Sequence, residues 1–245
     1  MKKLKHLSLV IALILSANIK AFAASGFEAS INVPLGASFG IPLNFEPSYN
    51  FLGSKSSITT QVGFDAGVQL RIGYMFDFGN FGLSLLGDLG YSYDSYRFLD
   101  YLNLSGNLIS VNYERIQSMY MHNFQIGILP KFNFGNFSLG IGGGVKIPMA
   151  GTIENKVEDN INGNDISKSD YKSAYFELPI IGYVKMTFDH SFFFNDHFAF
   201  ILGAYLGFDI GPVIKEEYTL FKDASISSFD LGIELGFKFG PRVGN

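Results

Sequence analysis

The sequence predicts an all-β fold, an eight-stranded antiparallel up-and-down transmembrane β-barrel. Three observations predict it. Apolar and polar residues alternate over long runs, the connections between runs alternate between long and tight, and the apolar face of every run is free of Asp, Glu, Lys and Arg. Alternation with a period of two marks a strand with one apolar and one polar face.

The clearest run is Gln61–Phe76, QVGFDAGVQLRIGYMF, in which every even-numbered residue is apolar: Val62, Phe64, Ala66, Val68, Leu70, Ile72, Tyr74 and Phe76. An earlier run starts at Phe27 and reaches Leu43; Pro34 and Pro42 leave its end open, because proline cannot donate to a ladder. Six more follow at Phe81–Tyr93, Tyr120–Phe132, Phe137–Met149, Phe176–Phe188, Phe198–Ile210 and Phe229–Phe239. Strands in globular sheets average about 5–6 residues. Sixteen residues at about 3.3 Å each, tilted near 45°, rise roughly 37 Å. That exceeds the apolar band of about 25 Å in membrane barrels, so the strand ends should stand in water.

The connections give the topology. FDFGNF (Phe76–Phe81) and FNFGNF (Phe132–Phe137) are nearly the same sequence. They place Gly79-Asn80 and Gly135-Asn136 in two-residue hairpin loops, with Phe78/Phe81 and Phe134/Phe137 as cross-strand pairs; glycine first suits a type II′ turn. DHSFFFNDH (Asp189–His197) makes a third, slightly longer turn. The other four connections run to roughly 15–25 residues, well beyond the usual hairpin of about 2–5. Tight turns on one side and long loops on the other make an up-and-down sheet with both termini on the turn side.

A soluble barrel would turn its apolar face inward and a membrane barrel outward. The polar face decides. It is rich in glycine, which weakens a solvent-facing strand but suits a narrow lumen. It also carries both signs of charge: Glu28, Asp65, Arg71, Asp88, Lys131, Lys146, Glu177, Lys185, Asp209, Asp230, Glu234 and Lys238. A charge facing lipid costs up to about 2–4 kcal/mol at the midplane, so an uncharged apolar face is the expected signature. Phenylalanines cluster at the turn ends of the runs and tyrosines at the loop ends, as in interfacial girdles.

Composition agrees. Of 245 residues 47% are hydrophobic and only 16% charged, below the roughly 25% of a soluble domain. With no cysteine, no disulfide, thiol nucleophile or cysteine metal site is available. Residues 1–23 read as a signal peptide: basic MKKLKH, the apolar run Leu7–Ala17, and Ala21-Phe22-Ala23 before the cleavage point. Removing Lys2, Lys3, Lys5 and Lys20 from the 18 basic residues leaves 14 against 22 acidic ones, a net charge of −8 for the domain 24–245. That charge disfavours nucleic acid as a partner. Export through the inner membrane to the outer membrane of a diderm bacterium is the expected route.

The chain resembles the small eight-stranded outer-membrane barrels of the outer membrane protein A transmembrane domain and outer membrane protein X kind. The likeness covers the signal peptide and essentially the whole mature chain, and it lies in architecture. One motif matches the C-terminal assembly signal of such barrels, polar-x-Gly-x-x-apolar-x-aromatic, at Asp230, Gly232, Leu235 and Phe237. The ending differs: GPRVGN follows Phe239 where a terminal Phe is common. The resemblance implies a monomer embedded in outer-membrane lipid, delivered by the barrel-assembly machinery, with no cofactor and no metal.

The functional expectations follow from a narrow lumen. Eight strands leave an interior just wide enough for side chains to fill. The interior charges therefore read as a buried ion-pair network, and alternatively as a narrow path for ions or small solutes. The four surface loops are expected to serve envelope structure, adhesion or a surface ligand. Tyr93–Arg115 carries Tyr96, Arg97, Tyr101 and Tyr113, residue types that anchor protein contacts, and two readings stay open for it: a contact surface, or packing over the barrel mouth. A distant third reading is a lipid-modifying enzyme at His122 with Ser118 on the same face. The acidic loop Gly151–Lys172 approaches a calcium loop at Glu158, Asn160, Asn162 and Gly163 but carries Ser169 in place of the closing Glu, so it reads as a solvated loop.

Overall fold

The computed structural model describes residues 25–43, 55–105, 110–159, 163–215, 217 and 225–244. The signal peptide expected at 1–23, and Asn160 and Asn162 of the calcium-like loop, lie outside the described residues. Nine strands are present: β1 (Gly26–Leu43), β2 (Lys55–Asp77), β3 (Gly82–Ser105), β4 (Ser110–Phe134), β5 (Phe137–Asp159), β6 (Gly163–Asp170), β7 (Ile181–Phe193), β8 (Phe198–Ile210) and β9 (Ser225–Phe239). Eight close a ring in the order β4-β3-β2-β1-β9-β8-β7-β5, with β5 returning to β4 and every neighbour antiparallel. β6 pairs with β5 alone and stands outside the ring.

The alternation in the sequence maps onto this wall. Along Gln61–Asp77 the even-numbered side chains face outward, Phe64 with 55% of its surface exposed, and Arg71 on the other face is wholly buried. Outward positions of all eight ring strands carry exposed apolar residues, among them Ile31, Leu85, Ile128, Ile141, Val184, Leu206 and Ile233. Phenylalanines ring the turn side, where Phe78 and Phe81 stack at 5.0 Å and Phe198 and Phe237 at 5.8 Å. Tyr91, Tyr93, Tyr120 and His122 cluster on the loop side. No described helix is long and apolar enough to cross a membrane; the strands make the crossing. The molecule is an eight-stranded antiparallel up-and-down transmembrane β-barrel.

The tight turns form as expected. Phe78 N donates to Phe81 O at 2.9 Å across Gly79, whose φ of +87° demands glycine. Asp77 Oδ1 accepts from Gly79 N at 2.9 Å and pins the turn from beneath. Pro34 does not end β1. It interrupts only the β1–β2 ladder, which skips from Asn32 to Leu35, while the β1–β9 ladder runs through it.

The loop side departs from expectation. Tyr93–Arg115, read as a loop, is mostly hairpin: β3 and β4 stay paired out to Ser105 and Ser110. Gly151–Lys172 likewise contains the β5–β6 hairpin, paired from Thr152–Asp170 to Asp159–Gly163. β2 to β5 are 23–25 residues long, whereas β7 and β8 have 13. The extra ten or so residues lift one side of the wall roughly 20 Å above the other at a 45° tilt. A bulge between Gln61 and Ala66 marks the base of this projection. Ser95 fills it, donating to Phe64 O at 2.9 Å and accepting from Phe64 N at 2.6 Å. One extra residue there exchanges the two faces of β2, so Ile58 points inward above it.

Apolar side chains gather at both ends of the lumen. On the loop side Tyr96, Phe98, Met119 and Met121 pack with Phe176, Ile181 and Ile226. The segment carrying Phe176 is laid across the mouth by a bridge to Ile214 and by Lys215 N donating to Tyr175 O at 3.0 Å. On the turn side Met75, Leu86, Leu129 and Ile201 are buried. The tail after Phe239 joins them: Gly240 N donates to His197 O at 2.8 Å, Arg242 lies 5.4 Å over the Phe193 ring, and Val243 is buried beside Met75 and Gly82. This is where residues 240–244 go.

Candidate functional site

The inward positions put the charged side chains into the lumen in three layers. In the turn-side layer Lys131 pairs with Asp189, and Lys238 Nζ stands 3.2 Å from Glu28. Ser84 donates to Glu28, and Asn133 Nδ2 to Ser84 at 2.8 Å. In the middle layer Arg71 Nη2 meets Glu234 at 2.6 Å and donates to Gln69 Oε1 at 2.9 Å, and its Nε lies 3.7 Å from Asp88. Lys185 Nζ meets the other Asp88 oxygen at 2.7 Å, which also accepts from Gln125 at 3.0 Å and Tyr183 at 3.2 Å. In the loop-side layer Lys146 Nζ bridges Asp94 at 2.9 Å and Asp209 at 2.6 Å. Asp65 and Asp230 complete that layer, and Tyr96 donates to Asp209 at 3.2 Å.

The glycines of the lumen wall sit under large side chains. Tyr205 lies over Gly36 and Gly232, and Tyr183 over Gly127; an added Cβ at any of these would strike the ring. The narrow bore holds aromatic rings inside because the neighbouring strands carry glycine where the rings lie across them.

Sequence positions and structure differ at several places. Glu177, expected on the lumen face, is exposed and precedes β7, since the strand starts only at Ile181. Tyr96, expected as a surface contact, is 1% exposed and points into the lumen, because β3 continues its alternation through it. Arg97 is on the outer face, where it donates to Ser118 Oγ at 3.3 Å and to Val62 O at 3.2 Å, so it braces the bulge. Tyr101 is half-buried opposite Glu114, and Tyr113 stands in β4 opposite Leu102. In β9, Asp230 is buried on the lumen side, while Leu235 and Phe237 face outward. Asp94 and Asp189, both buried in the lumen, lie one residue beyond the alternating runs Phe81–Tyr93 and Phe176–Phe188; continuing the alternation by one step finds both.

His122 and Ser118 do not meet. Four residues apart on one strand they are separated by about 13 Å. The Tyr91 hydroxyl and His122 Nδ1 are hydrogen-bonded at 2.6 Å, and Ser118 is occupied by Arg97. On the projecting sheet Lys168 pairs with Glu154 at 2.8 Å on the outer face, and Arg115 pairs with Asp100 at 3.0 Å on the face that continues the lumen side. Glu154 accepts a hydrogen bond from the Lys168 ammonium and holds it above its usual range.

No protein-family model matches the chain, and no curated protein matches it. Among solved structures it is similar to Ail of Yersinia pestis, solved with the heparin analogue sucrose octasulfate, at 12% identity over 86% of this chain and 98% of that one, with a TM-score of 0.32. It is similar to the outer membrane protease OmpT of Escherichia coli at 10% identity over 92% and 100%, TM-score 0.37. It is also similar to the outer membrane protein OprG of Pseudomonas aeruginosa at 11% over 88% and 97%, TM-score 0.29. The fold rests on the ring of pairings in the chain itself.

Proposed function

We propose that this chain is an exported outer-membrane protein whose barrel is plugged and whose work is done by the sheet that projects from it. Residues 1–23 are removed as a signal peptide, and the barrel 24–245 enters the membrane as a monomer through the barrel-assembly machinery, which reads Asp230, Gly232, Leu235 and Phe237. The projection, β2 to β6 above the bulge, presents a surface for envelope contact, adhesion or a ligand outside the cell. One observation carries this reading: the lumen has apolar side chains packed at both ends and ion pairs between them, whereas the loop-side strands run about ten residues beyond β7 and β8. Strand built past the membrane serves something other than crossing it.

The test is single-channel conductance of residues 24–245, refolded in detergent and inserted into planar bilayers. The expected result is silence from barrels whose heat-modifiable gel migration shows them folded. Discrete, reproducible steps would sink the plugged reading in favour of a narrow channel for ions or small solutes, and would direct mutagenesis to Arg71 and Lys131. The lipid-modifying reading at His122 is tested by His122→Ala, for which unchanged lipid profiles are expected.

A further inference from the structure

The projecting sheet has two outer strands, β2 and β6, and they are finished differently. Above the bulge β2 pairs with β3 and is tied at its base: Thr60 Oγ1 donates to Gly40 O of β1 at 2.7 Å, and Arg97 Nη1 donates to Val62 O at 3.2 Å. β6 pairs with β5 on one side, and among the described residues no strand pairs with its other side. Asp165–Asp170 are all exposed, Ile166 with 55% of its surface, so this edge stands open to water.

The ladder fixes which backbone groups face the opening. Tyr171 N donates to Gly151 O at 2.9 Å, one step below the Thr152–Asp170 pair. Hydrogen-bonded pairs alternate along an antiparallel ladder, and this one runs without a register shift. The odd-numbered residues of β6 therefore bond to β5. Asn164, Ile166, Lys168 and Asp170 turn their N–H and C=O to the open edge, a row of donors and acceptors that repeats about every 7 Å. Another extended backbone matches that row. Folded proteins ordinarily blunt such an edge with proline, a bulge or an outward lysine. β6 has no proline and no bulge, and its one lysine is held toward β5 by Glu154 at 2.8 Å. The charge of the edge is also one-sided. Lys168 is matched, whereas Asp165 and Asp170, on opposite faces of the strand, form no ion pair among the described residues.

We propose that the open edge of β6 takes up an extended segment of another polypeptide as an added antiparallel strand, with an apolar residue opposite Ile166 and basic residues opposite Asp165 and Asp170. The inference rests on the reading of the projection as a contact surface and names the contact. Backbone bonds to the even-numbered residues supply the grip, and the side chains opposite Ile166 and the two aspartates supply the choice of segment. Antiparallel pairing with that register reads as basic-x-x-x-apolar-basic along the incoming strand, since the residue opposite Asp170 comes first. β6 stands outside the ring, so the strand is added without disturbing barrel closure.

The experiment uses the full chain, produced in the outer membrane of a host and extracted in detergent, with heat-modifiable gel migration as the check that each variant is folded. The probe is the fluorescently labelled peptide TKTTTVKT, blocked at both ends, and binding is read by fluorescence anisotropy. Saturable binding is expected, stronger than for the acidic copy TETTTVET. Ile166→Pro removes an outward N–H and leaves the β5 ladder intact, so it should weaken binding by about tenfold or more. Lys168→Pro does the same one step along and serves if Ile166→Pro does not fold. Ile166→Thr keeps the N–H and should bind within about threefold of the unaltered protein, which separates the backbone from the side chain. Absence of saturable binding to the unaltered barrel would overturn the proposal, whereas silence in planar bilayers would still support the plugged barrel. Binding that favours the acidic copy, or that survives both proline variants, would also overturn it by placing the contact elsewhere on the projection.

Discussion

The turn-side and loop-side halves of the lumen are built from the same residue types on the same eight strands, and they solve burial differently. In the turn-side and middle layers each cation has its carboxylate; Ser84 donates to Glu28, Gln125 and Tyr183 donate to Asp88, and Gln69 accepts from Arg71. In the loop-side layer four buried acids, Asp65, Asp94, Asp209 and Asp230, share one cation, Lys146. A buried pair is costly to break because it strands its partner, whereas removing a charge that was never matched strands nothing. The two halves should therefore answer substitution with different signs.

The largest effect is expected at Arg71, wholly buried between Glu234, Asp88 and Gln69. Arg71→Met strands Glu234 in the interior and leaves Asp88 to Lys185 alone, and should cost about 5 kcal/mol in denaturant unfolding of the detergent-folded barrel. A loss under about 1 kcal/mol would mean that water already solvates the layer. Next comes Lys131→Met, which strands Asp189 and should cost about 3 kcal/mol. Adding Asp189→Leu to it should restore most of that loss, since an apolar pair can replace a buried ion pair. Failure of the double variant to recover would show that geometry, and not charge matching, holds this layer.

Asp230→Asn sharpens the contrast. It removes a charge from the layer in which four acids share Lys146 and keeps the shape, so its stability should lie within about 1 kcal/mol of the unaltered barrel or above it. A loss as large as that of Lys131→Met would erase the distinction between the halves.

How much of this was legible follows the same division of the molecule. Within the membrane the sequence is read by two solvents, lipid and lumen, and each side chain of Phe64–Phe76 takes the face its chemistry demands. That is why the strands, the turns at Gly79 and Gly135, and the uncharged belt could be read from alternation alone. Above the belt both faces meet water or protein, and alternation no longer separates apolar from polar. Tyr93–Arg115 therefore looked like a loop although its residues 93–105 and 110–115 all have cross-strand partners. The bulge at Gln61–Ala66 could not be counted from composition, since only the position of Ser95 shows where the extra residue lies. The pairing of charges was beyond the sequence for another reason. Lys185 lies 116 residues from Gln69, and Arg71 163 from Glu234, so their meeting depends on barrel closure.

The smallest effect should come from outside the lumen. Arg115 and Asp100 form a 3.0 Å pair on the projecting hairpin, with 42% and 25% of their side chains exposed. In distance it resembles the Lys146 pair with Asp94 at 2.9 Å, which is buried. Water changes its worth. Exposed pairs gain little because solvent screens them and two long side chains lose freedom. Arg115→Ala should therefore change unfolding stability by about 0–1 kcal/mol, and the difference should vanish in 1 M salt, where the screening length falls to about 3 Å. A cost near that of Lys131→Met, persisting at high salt, would mean that the projection is packed as tightly as the lumen and that its surface is covered in the folded protein.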